Sequence, residues 1–156
     1  MSRSRAKFLL EQTLTKQSAA GTCVIIDAGP TLLLLQRGPK GAEPFTWAFA
    51  GGRIEDGEGP LQAALRETWE ELQVDLSQEQ YSSYFVQPIP GESGLTFTTF
   101  IYNLQRFPMT WSPQINEESL AWGIFTKPAL EHLTLHRGMP YALKQVGWGT
   151  AVPKSR

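Results

Sequence analysis

Apolar and β-branched runs alternate with glycine- and proline-rich breaks along much of this chain. Two such runs lie on either side of Ala28-Gly29-Pro30, which predicts a pair of strands joined by a turn. Further runs of the same kind follow. The predicted strands cover residues 21–27, 31–37, 45–50, 81–87, 95–104 and 121–125. We expect Gly51-Gly52 to end the third strand, because glycine weakens a strand interior.

One central segment has helical rather than strand periodicity. At about 100° per residue, its apolar positions fall on one side of a helix predicted over residues 60–72 or 60–73. These positions are Leu61, Ala64, Leu65, Thr68 and Leu72. Pro60 suits the first turn, where its missing N–H would be unpaired anyway. A closing helix is predicted over residues 139–146, and residues 5–16 are expected to form a short helix or an extension.

The order of these elements predicts an α/β (α+β) fold in which helices cover both faces of a mixed sheet. The length of 156 residues, with 41% hydrophobic and 19% charged residues, fits one globular domain. We expect this domain to span residues 19–150, between an N-terminal extension or short helix at 1–18 and a tail at 151–156. Cys23 is the only cysteine, and its β-branched surroundings predict a buried, inert thiol.

Charge and hydropathy limit the classes of partner that we expect for this protein. The net charge of −1 gives no electrostatic attraction to duplex DNA or to an anionic membrane. No apolar run in the sequence reaches membrane-spanning length, and no signal-peptide core follows Met1. We therefore expect a cytoplasmic protein that binds a small molecule and has neither duplex DNA nor a membrane as a partner.

Three carboxylates, Glu67, Glu70 and Glu71, follow a glycine-rich turn at helical spacing. Glu67 forms like-charge pairs with the other two, and each pair costs about 0.2–0.5 kcal/mol in an isolated helix. Taken alone, the three glutamates fit a solvated helix face better than any site. A bound hard cation would explain their grouping, because Mg²⁺ and Ca²⁺ take oxygen ligands. The flanking residues decide between these two interpretations.

Residues 52–74 resemble the signature of the Nudix hydrolases. That signature is Gly, five residues, Glu, seven residues, Arg-Glu, an apolar residue, any residue, Glu-Glu, any residue, Gly and an apolar residue. The matching positions are Gly52, Glu58, Arg66, Glu67, Thr68, Glu70, Glu71, Gln73 and Val74. Upstream, residues 47–52 resemble the strand and turn before this box, with Ala50 where proline is usual. Gln36-Arg37 resembles the end of the family's second strand. The resemblance implies a Nudix-type αβα sandwich with a central mixed sheet over residues 19–148.

Two positions depart from the signature. Gln73 stands where the family has a glycine that ends the helix in a left-handed conformation. Glutamine costs about 1 kcal/mol of strain there if the backbone is kept; otherwise the helix end shifts. Thr68 replaces a larger apolar residue, and we expect it to stay on the buried face through its methyl group.

The resemblance implies cleavage of a diphosphate linkage in a nucleoside diphosphate joined to another group. Such a substrate is polyanionic, so a divalent cation must join it to the carboxylates; Mg²⁺ is expected, and Mn²⁺ fits the same oxygen ligands. The implied metal-site residues are Gly52, through its backbone, Glu67, Glu70, Glu71 and Glu118. The implied catalytic residues are Glu67, Glu70 and Arg66.

Some of these roles stay open. Glu67 is either a metal ligand or a general base. Glu58 and Arg66 are expected to form an ion pair that holds the loop against the helix. Glu117 and Glu118 lie in a polar loop, where one of them joins the metal site or acts as base in some Nudix enzymes. A solvated loop is the alternative for both.

The candidate substrate-binding residues are Arg37, Arg53, Trp47 and Phe49. The guanidinium groups match phosphate bidentately, with surface ion pairs as the equal alternative. The aromatic rings can stack on a base, although core packing is commoner for aromatics in a short strand. His132 and His136 stand outside any recognisable spacing and are interpreted as structural.

The expected substrate is a small nucleoside diphosphate derivative or a nucleoside triphosphate. Pro88 and Pro90 lie near the place where ADP-ribose-cleaving members of the family have a proline, which slightly favours ADP-ribose. The alternative is a non-catalytic Nudix-fold module that binds a nucleotide or regulates a partner. Because every charged anchor of the signature is present, the enzyme is favoured. A homodimer is in keeping with the enzymes that this chain resembles.

Overall fold

A mixed sheet forms the middle layer of the protein, which the computed structural model describes over residues 18–149. Within that part of the chain the sheet has seven strands. They are β1 (Ala19–Ile26), β2 (Thr31–Arg37), β3 (Trp47–Ala48), β4 (Ala50–Arg53), β5 (Ser83–Pro88), β6 (Thr96–Leu104) and β7 (Ser119–Phe125). The helices are α1 (Pro60–Leu72), α2 (Lys127–Leu130) and α3 (Met139–Gln145). The helix or extension expected at residues 5–16 and the tail at 151–156 lie outside the described residues.

Strand β1 is the centre of the sheet, and its two ends have different neighbours. Its first half pairs with β4 and its last two residues pair with β2, both antiparallel. On its other side β1 runs parallel to β6 along its whole length. Strand β2 continues past β1 to pair with β3. The segment Trp47–Arg53 therefore crosses from β2 to β1, at the point where those two strands diverge.

Both faces of the sheet are covered. Alternate residues of β1 point to opposite faces: Val24 and Ile26 belong to the core beneath α1, whereas Cys23 and Ile25 belong to the core beneath α2 and α3. The expected αβα sandwich with a mixed sheet is thus confirmed. Cys23 is fully buried, and burial raises the pKa of its thiol, as expected for an inert cysteine.

Helix α1 covers the first core with the predicted apolar face. Thr68 is fully buried there, and its hydroxyl satisfies its polarity by bonding to the Ala64 carbonyl and to the Thr22 hydroxyl, each at 2.8 Å. The helix ends at Leu72, and Gln73 adopts the left-handed conformation with φ 55° and ψ 36°. The backbone of the family's glycine is therefore kept, and the helix end does not shift.

The expectation that Gly51-Gly52 ends a strand is wrong. Both glycines lie inside β4 and pair with Gly21 and Ala20 of β1. A Cβ on Gly51 would come within 2.7 Å of the Phe97 ring. Close packing from outside the strand, which local sequence does not reveal, therefore explains this glycine.

Other boundaries shift by a few residues. The first strand begins at Ala19, the seventh begins at Ser119, and the closing helix ends at Gln145. Helix α2 was not predicted from the sequence. Among residues 18–149, no helix has the length and apolar character needed to cross a membrane.

Candidate functional site

The guanidinium of Arg66 organises the start of α1. Its Nε and one terminal nitrogen donate to the two oxygens of Glu58, at 2.7 and 3.1 Å. The same terminal nitrogen donates to the Arg53 carbonyl at 3.0 Å. The other terminal nitrogen donates to Glu67 and Glu70, at 3.2 and 3.1 Å. The expected Glu58–Arg66 ion pair is present, and Arg66 lowers the pKa of Glu58.

Glu67 packs directly against the backbone of β4. A Cβ on Gly52 would lie 2.4–2.8 Å from the Glu67 carboxyl atoms, so only glycine allows this approach. Burial raises the pKa of Glu67, and the neighbouring charge of Arg66 opposes that shift. The first glycine of the signature and a glutamate fifteen residues later in the sequence therefore meet in one contact.

Glu71 is held by the preceding residue of the same strand. The Gly51 N–H donates to its Oε1 at 2.9 Å. Burial raises the pKa of Glu71 to about 8, and the charges of Glu67 and Glu118 add to that shift. The ionised form of this carboxyl is consequently unfavourable in the protein unless a positive charge comes close to it.

The loop before β7 brings Glu118 to the same region. Asn116 fixes this loop, since its amide donates to the Glu70 carbonyl at 3.0 Å and its Oδ1 accepts from the Glu118 N–H at 2.9 Å. The Glu118 charge raises the pKa of both Glu67 and Glu71. Of the two glutamates left open by the sequence, Glu118 thus has the clearer electrostatic link to the helix carboxylates.

The chemistry of this donor set fits a hard divalent cation. Glu67, Glu70, Glu71 and Glu118 offer oxygen ligands only, and their mutual repulsion is the kind that a cation relieves. Across residues 18–149, however, no group of three or more His, Cys, Asp or Glu side chains is arranged closely enough to hold a metal ion. In this arrangement Glu70 is bonded to Arg66 and Glu71 to the Gly51 backbone.

A cleft of about 490 Å³ opens beside these carboxylates. Glu71, Glu117 and Glu118 line one side of it. Arg37 and Lys40 line it from β2 and the loop that follows. Arg37 donates through Nε to the Ala42 carbonyl at 2.7 Å, which orders its guanidinium. Sequence reasoning did not single out Lys40, because one lysine in a glycine- and proline-rich loop carries no spacing signal.

A smaller cavity of about 110 Å³ adjoins the cleft. The two share Arg37, Ala48, Phe49 and Gly51 as lining residues. Phe49 is therefore in place to contact a ligand in either space.

The remaining candidate side chains line neither the cleft nor the smaller cavity. Trp47 packs edge-on against Phe125, with ring centroids 4.9 Å apart, and belongs to the core beneath α2 and α3. Arg53 is exposed, and its backbone carbonyl accepts a hydrogen bond from Arg66. His132 is exposed as well.

His136 lines the smaller cavity, although it stands outside any recognisable motif and was interpreted as structural. Its Nδ1 accepts from the Gly138 N–H at 3.0 Å, and its Nε2 lies 3.1 Å from a Glu43 oxygen. Burial lowers the pKa of His136, so the neutral ring with its proton on Nε2 fits both contacts. Its partners are distant in the sequence, which is why no motif signalled it.

A family model described as the NUDIX domain matches residues 15–146. The chain belongs to the Nudix family. The Nudix box accordingly corresponds to the β4–α1 segment, in which glycines of the strand pack against glutamates of the helix.

Three known proteins are similar to this chain. The chain is 43% identical over 60 residues to an 8-oxo-dGTP diphosphatase of Proteus vulgaris, covering 38% of this chain and 52% of that protein. It is 33% identical over 67 residues to a CTP pyrophosphohydrolase of Escherichia coli (strain K12), covering 43% and 50%. The chain thus spans about half the length of these curated relatives. The crystal structure of RenU, a Nudix hydrolase from M. smegmatis, superposes with a TM-score of 0.69 at 25% identity, over 90% of this chain and 91% of that one.

Proposed function

We propose that this Nudix protein hydrolyses a diphosphate bond in a small nucleotide with the help of a divalent cation. One observation carries the proposal. Glu67 and Glu71 pack against the Gly51-Gly52 backbone beside a cleft that Arg37 and Lys40 also line. Carboxylates alone would repel a phosphate chain, whereas carboxylates with a cation, next to two basic side chains, suit one.

Each part of the cleft has a chemical role in this proposal. Glu67, Glu70, Glu71 and the Gly52 backbone would hold the cation, with Glu118 beside them. A bound Mg²⁺ or Mn²⁺ would neutralise phosphate charge and make an attacking water more acidic. Arg37 and Lys40 bind phosphate oxygens. Glu67 has one of two roles: it either stays a cation ligand or accepts a proton from the attacking water instead. Arg66 is a positioning residue whose hydrogen bonds hold the carboxylates of Glu58, Glu67 and Glu70 in place.

A nucleoside triphosphate is the first candidate substrate. The two curated relatives are named for 8-oxo-dGTP and CTP, and the cleft with its adjoining cavity offers room for a phosphate chain and a ring. ADP-ribose is the second candidate, because Pro88 and Pro90, which the resemblance connects with that substrate, line the adjoining cavity. A homodimer and a cytoplasmic location remain predictions from the sequence.

Turnover by the wild type and by Glu70→Gln tests the proposal. Phosphate or nucleotide release is measured with Mg²⁺ over nucleoside triphosphates, 8-oxo-dGTP, ADP-ribose, sugar nucleotides and dinucleotides. Loss of one ligand carboxylate is expected to lower kcat/KM by about 10- to 100-fold or more on the best substrate. Glu79→Gln makes the same change on an exposed turn after α1 and should retain wild-type turnover.

The opposite outcome is equally defined. Equal and negligible turnover by the wild type and Glu70→Gln across the whole panel would remove the enzymatic function. It would favour the alternative of a non-catalytic nucleotide-binding or regulatory module.

A further inference from the structure

The smaller cavity contains a buried amide with an unused acceptor. Gln87 lines this cavity and exposes only 7% of its surface. Its Nε2 donates to the Gly138 carbonyl at 3.2 Å. A carbonyl can only accept, so this bond fixes which way round the amide lies. Its Oε1 has no hydrogen bond to any residue between 18 and 149.

Thr99 provides a second unused polar group in the same cavity. It exposes 1% of its surface, and its hydroxyl makes no side-chain hydrogen bond within the described part of the chain. Every fully enclosed polar side-chain atom in that part has a partner, so the Gln87 oxygen and the Thr99 hydroxyl are reached from the cavity. Strands β5 and β6 place the two side chains as diagonal neighbours on one face, since Gln87 pairs with Phe97 and Thr99 lies two residues further along.

Two phenylalanine rings line another part of the cavity. The Phe97 ring lies over Gly21 and Gly51, where an added Cβ would come within 2.9 and 2.7 Å of it. Phe49 lines the side shared with the cleft. An apolar cavity of about 150 Å³ holds benzene, so about 110 Å³ with an opening suits the edge of one planar ring.

We propose that Gln87 and Thr99 form the polar end of a ring-binding subsite that selects a heterocycle with an exocyclic amino group at its edge. The Gln87 oxygen accepts this donor, and the Thr99 hydroxyl bonds to the neighbouring ring position as donor or acceptor. A ring that presents a carbonyl at the same position places two acceptors against each other and is rejected. The inference rests on the proposed function, because the subsite adjoins the phosphate cleft.

Matched nucleotide pairs test the selection. CTP and UTP, like ATP and ITP, differ by an amino group in place of a carbonyl, whereas GTP carries an amino group that ITP lacks. In the pairs that the wild type hydrolyses best, we expect kcat/KM to favour the amino-bearing nucleotide by about tenfold or more, the value of one buried hydrogen bond. Gln87→Met should reduce this preference to within about threefold. Thr99→Val, which keeps the branched shape, should reduce it partly, and Thr99→Ser should retain it.

Binding gives a readout that does not require turnover. Calorimetry with CMP, UMP, AMP, GMP and IMP in EDTA should show the same preference in the wild type and its loss in Gln87→Met. Gln105→Met makes the same change on an exposed loop and should keep the wild-type preference. Thermal melting confirms that each variant is folded. If Gln87→Met is not folded, the comparison of Thr99→Val with the wild type tests the subsite instead.

The failures of the two proposals are distinguishable. Hydrolysis without any preference within the pairs, or a preference that persists in both Gln87→Met and Thr99→Val, overturns the ring subsite and leaves the hydrolase intact. Selective monophosphate binding without hydrolysis supports the subsite and overturns the hydrolase. Absence of both binding and preference overturns the subsite.

Discussion

At the residue scale, the conflict between fold and charge is sharpest at Glu71. Folding buries its carboxyl, binds its Oε1 to the Gly51 N–H and brings the charges of Glu67 and Glu118 close to it. The pKa of Glu71 rises from an ordinary value of 4.5 to about 8. The arrangement therefore costs stability when the carboxyl is ionised and no cation is bound, as is typical of residues kept for function rather than for folding.

In the absence of divalent cations, we expect Glu71→Gln to stabilise the protein at about pH 9 and to change little near pH 4.5. The unfolded chain loses this proton around pH 4.5, whereas the folded protein keeps it up to about pH 8. The wild-type free energy of unfolding therefore falls as pH rises through that interval. Glutamine stays neutral and can still accept from Gly51. The pKa difference from 4.5 to about 8 corresponds to about 5 kcal/mol at about 1.4 kcal/mol per pKa unit. At about 2–4 °C per kcal/mol, the melting temperature should rise by up to about 10–20 °C.

Thermal melts in EDTA at both pH values measure this effect. Glu79→Gln serves as the exposed control and should follow the wild type at each pH. Addition of Mg²⁺ or Mn²⁺ should raise the melting temperature of the wild type more than that of Glu71→Gln, because the cation stabilises the ionised carboxylate. A lower melting temperature for Glu71→Gln at about pH 9 in EDTA would show that the ionised carboxylate does not destabilise the folded protein.

At the scale of elements, the end of α1 stores strain in its backbone. Gln73 takes the left-handed conformation, and its N–H donates to the Trp69 carbonyl at 2.7 Å. Val74 and Leu76 follow immediately and are buried, so the chain must turn there to reach the core. A residue with a Cβ pays for this turn, whereas glycine adopts it freely.

Gln73→Gly is therefore expected to stabilise the protein by about 0.5–1 kcal/mol, which corresponds to about 1–4 °C in melting temperature. Relief of left-handed strain outweighs the larger entropy of glycine in the unfolded chain. Gln78→Gly makes the same change in an exposed turn whose φ is not positive, and it should be neutral or destabilising. Equal changes in melting temperature for the two variants would show that the backbone at Gln73 is not strained.

The elements that the sequence predicts well are those set by local residues. Helix α1, its Pro60 start and the Glu58–Arg66 ion pair follow from spacing within one segment, whereas spacing left open whether Gln73 keeps the left-handed helix end. Long-range contacts decide the features that were missed. Position 51 is a glycine inside a strand because the Phe97 ring leaves no room for a Cβ. His136 and Gln87 reach the smaller cavity only when the chain after β7 packs against β5.

At the scale of the whole molecule, three loops meet at the mouth of the smaller cavity. The Glu43 carboxylate accepts from the Arg137 backbone N–H at 2.9 Å and from its Nε at 3.0 Å, and it contacts His136 Nε2 at 3.1 Å. A terminal nitrogen of Arg137 donates to the Pro90 carbonyl at 2.9 Å. Glu43 itself has a positive φ of 51°. The strained loop after β2 is thus tied to the loop after β5 and to the start of α3, and Pro90 and His136 both line the cavity.

Loss of the Glu43 contacts should make the walls of the smaller cavity more mobile. It should not alter the carboxylates and basic side chains that are proposed to hold the diphosphate. Glu43→Gln leaves one acceptor oxygen and turns two N–H donors toward the donors of Arg137 and His136. The substrate must then order the three loops on binding. We expect KM to rise by about three- to tenfold with a smaller change in kcat, and the melting temperature to fall by about 2–4 °C. Glu92→Gln, an exposed change in the same group of loops, should alter neither. A variant that loses kcat with unchanged KM would mean that Glu43 acts on the reacting groups instead of on the walls of the cavity.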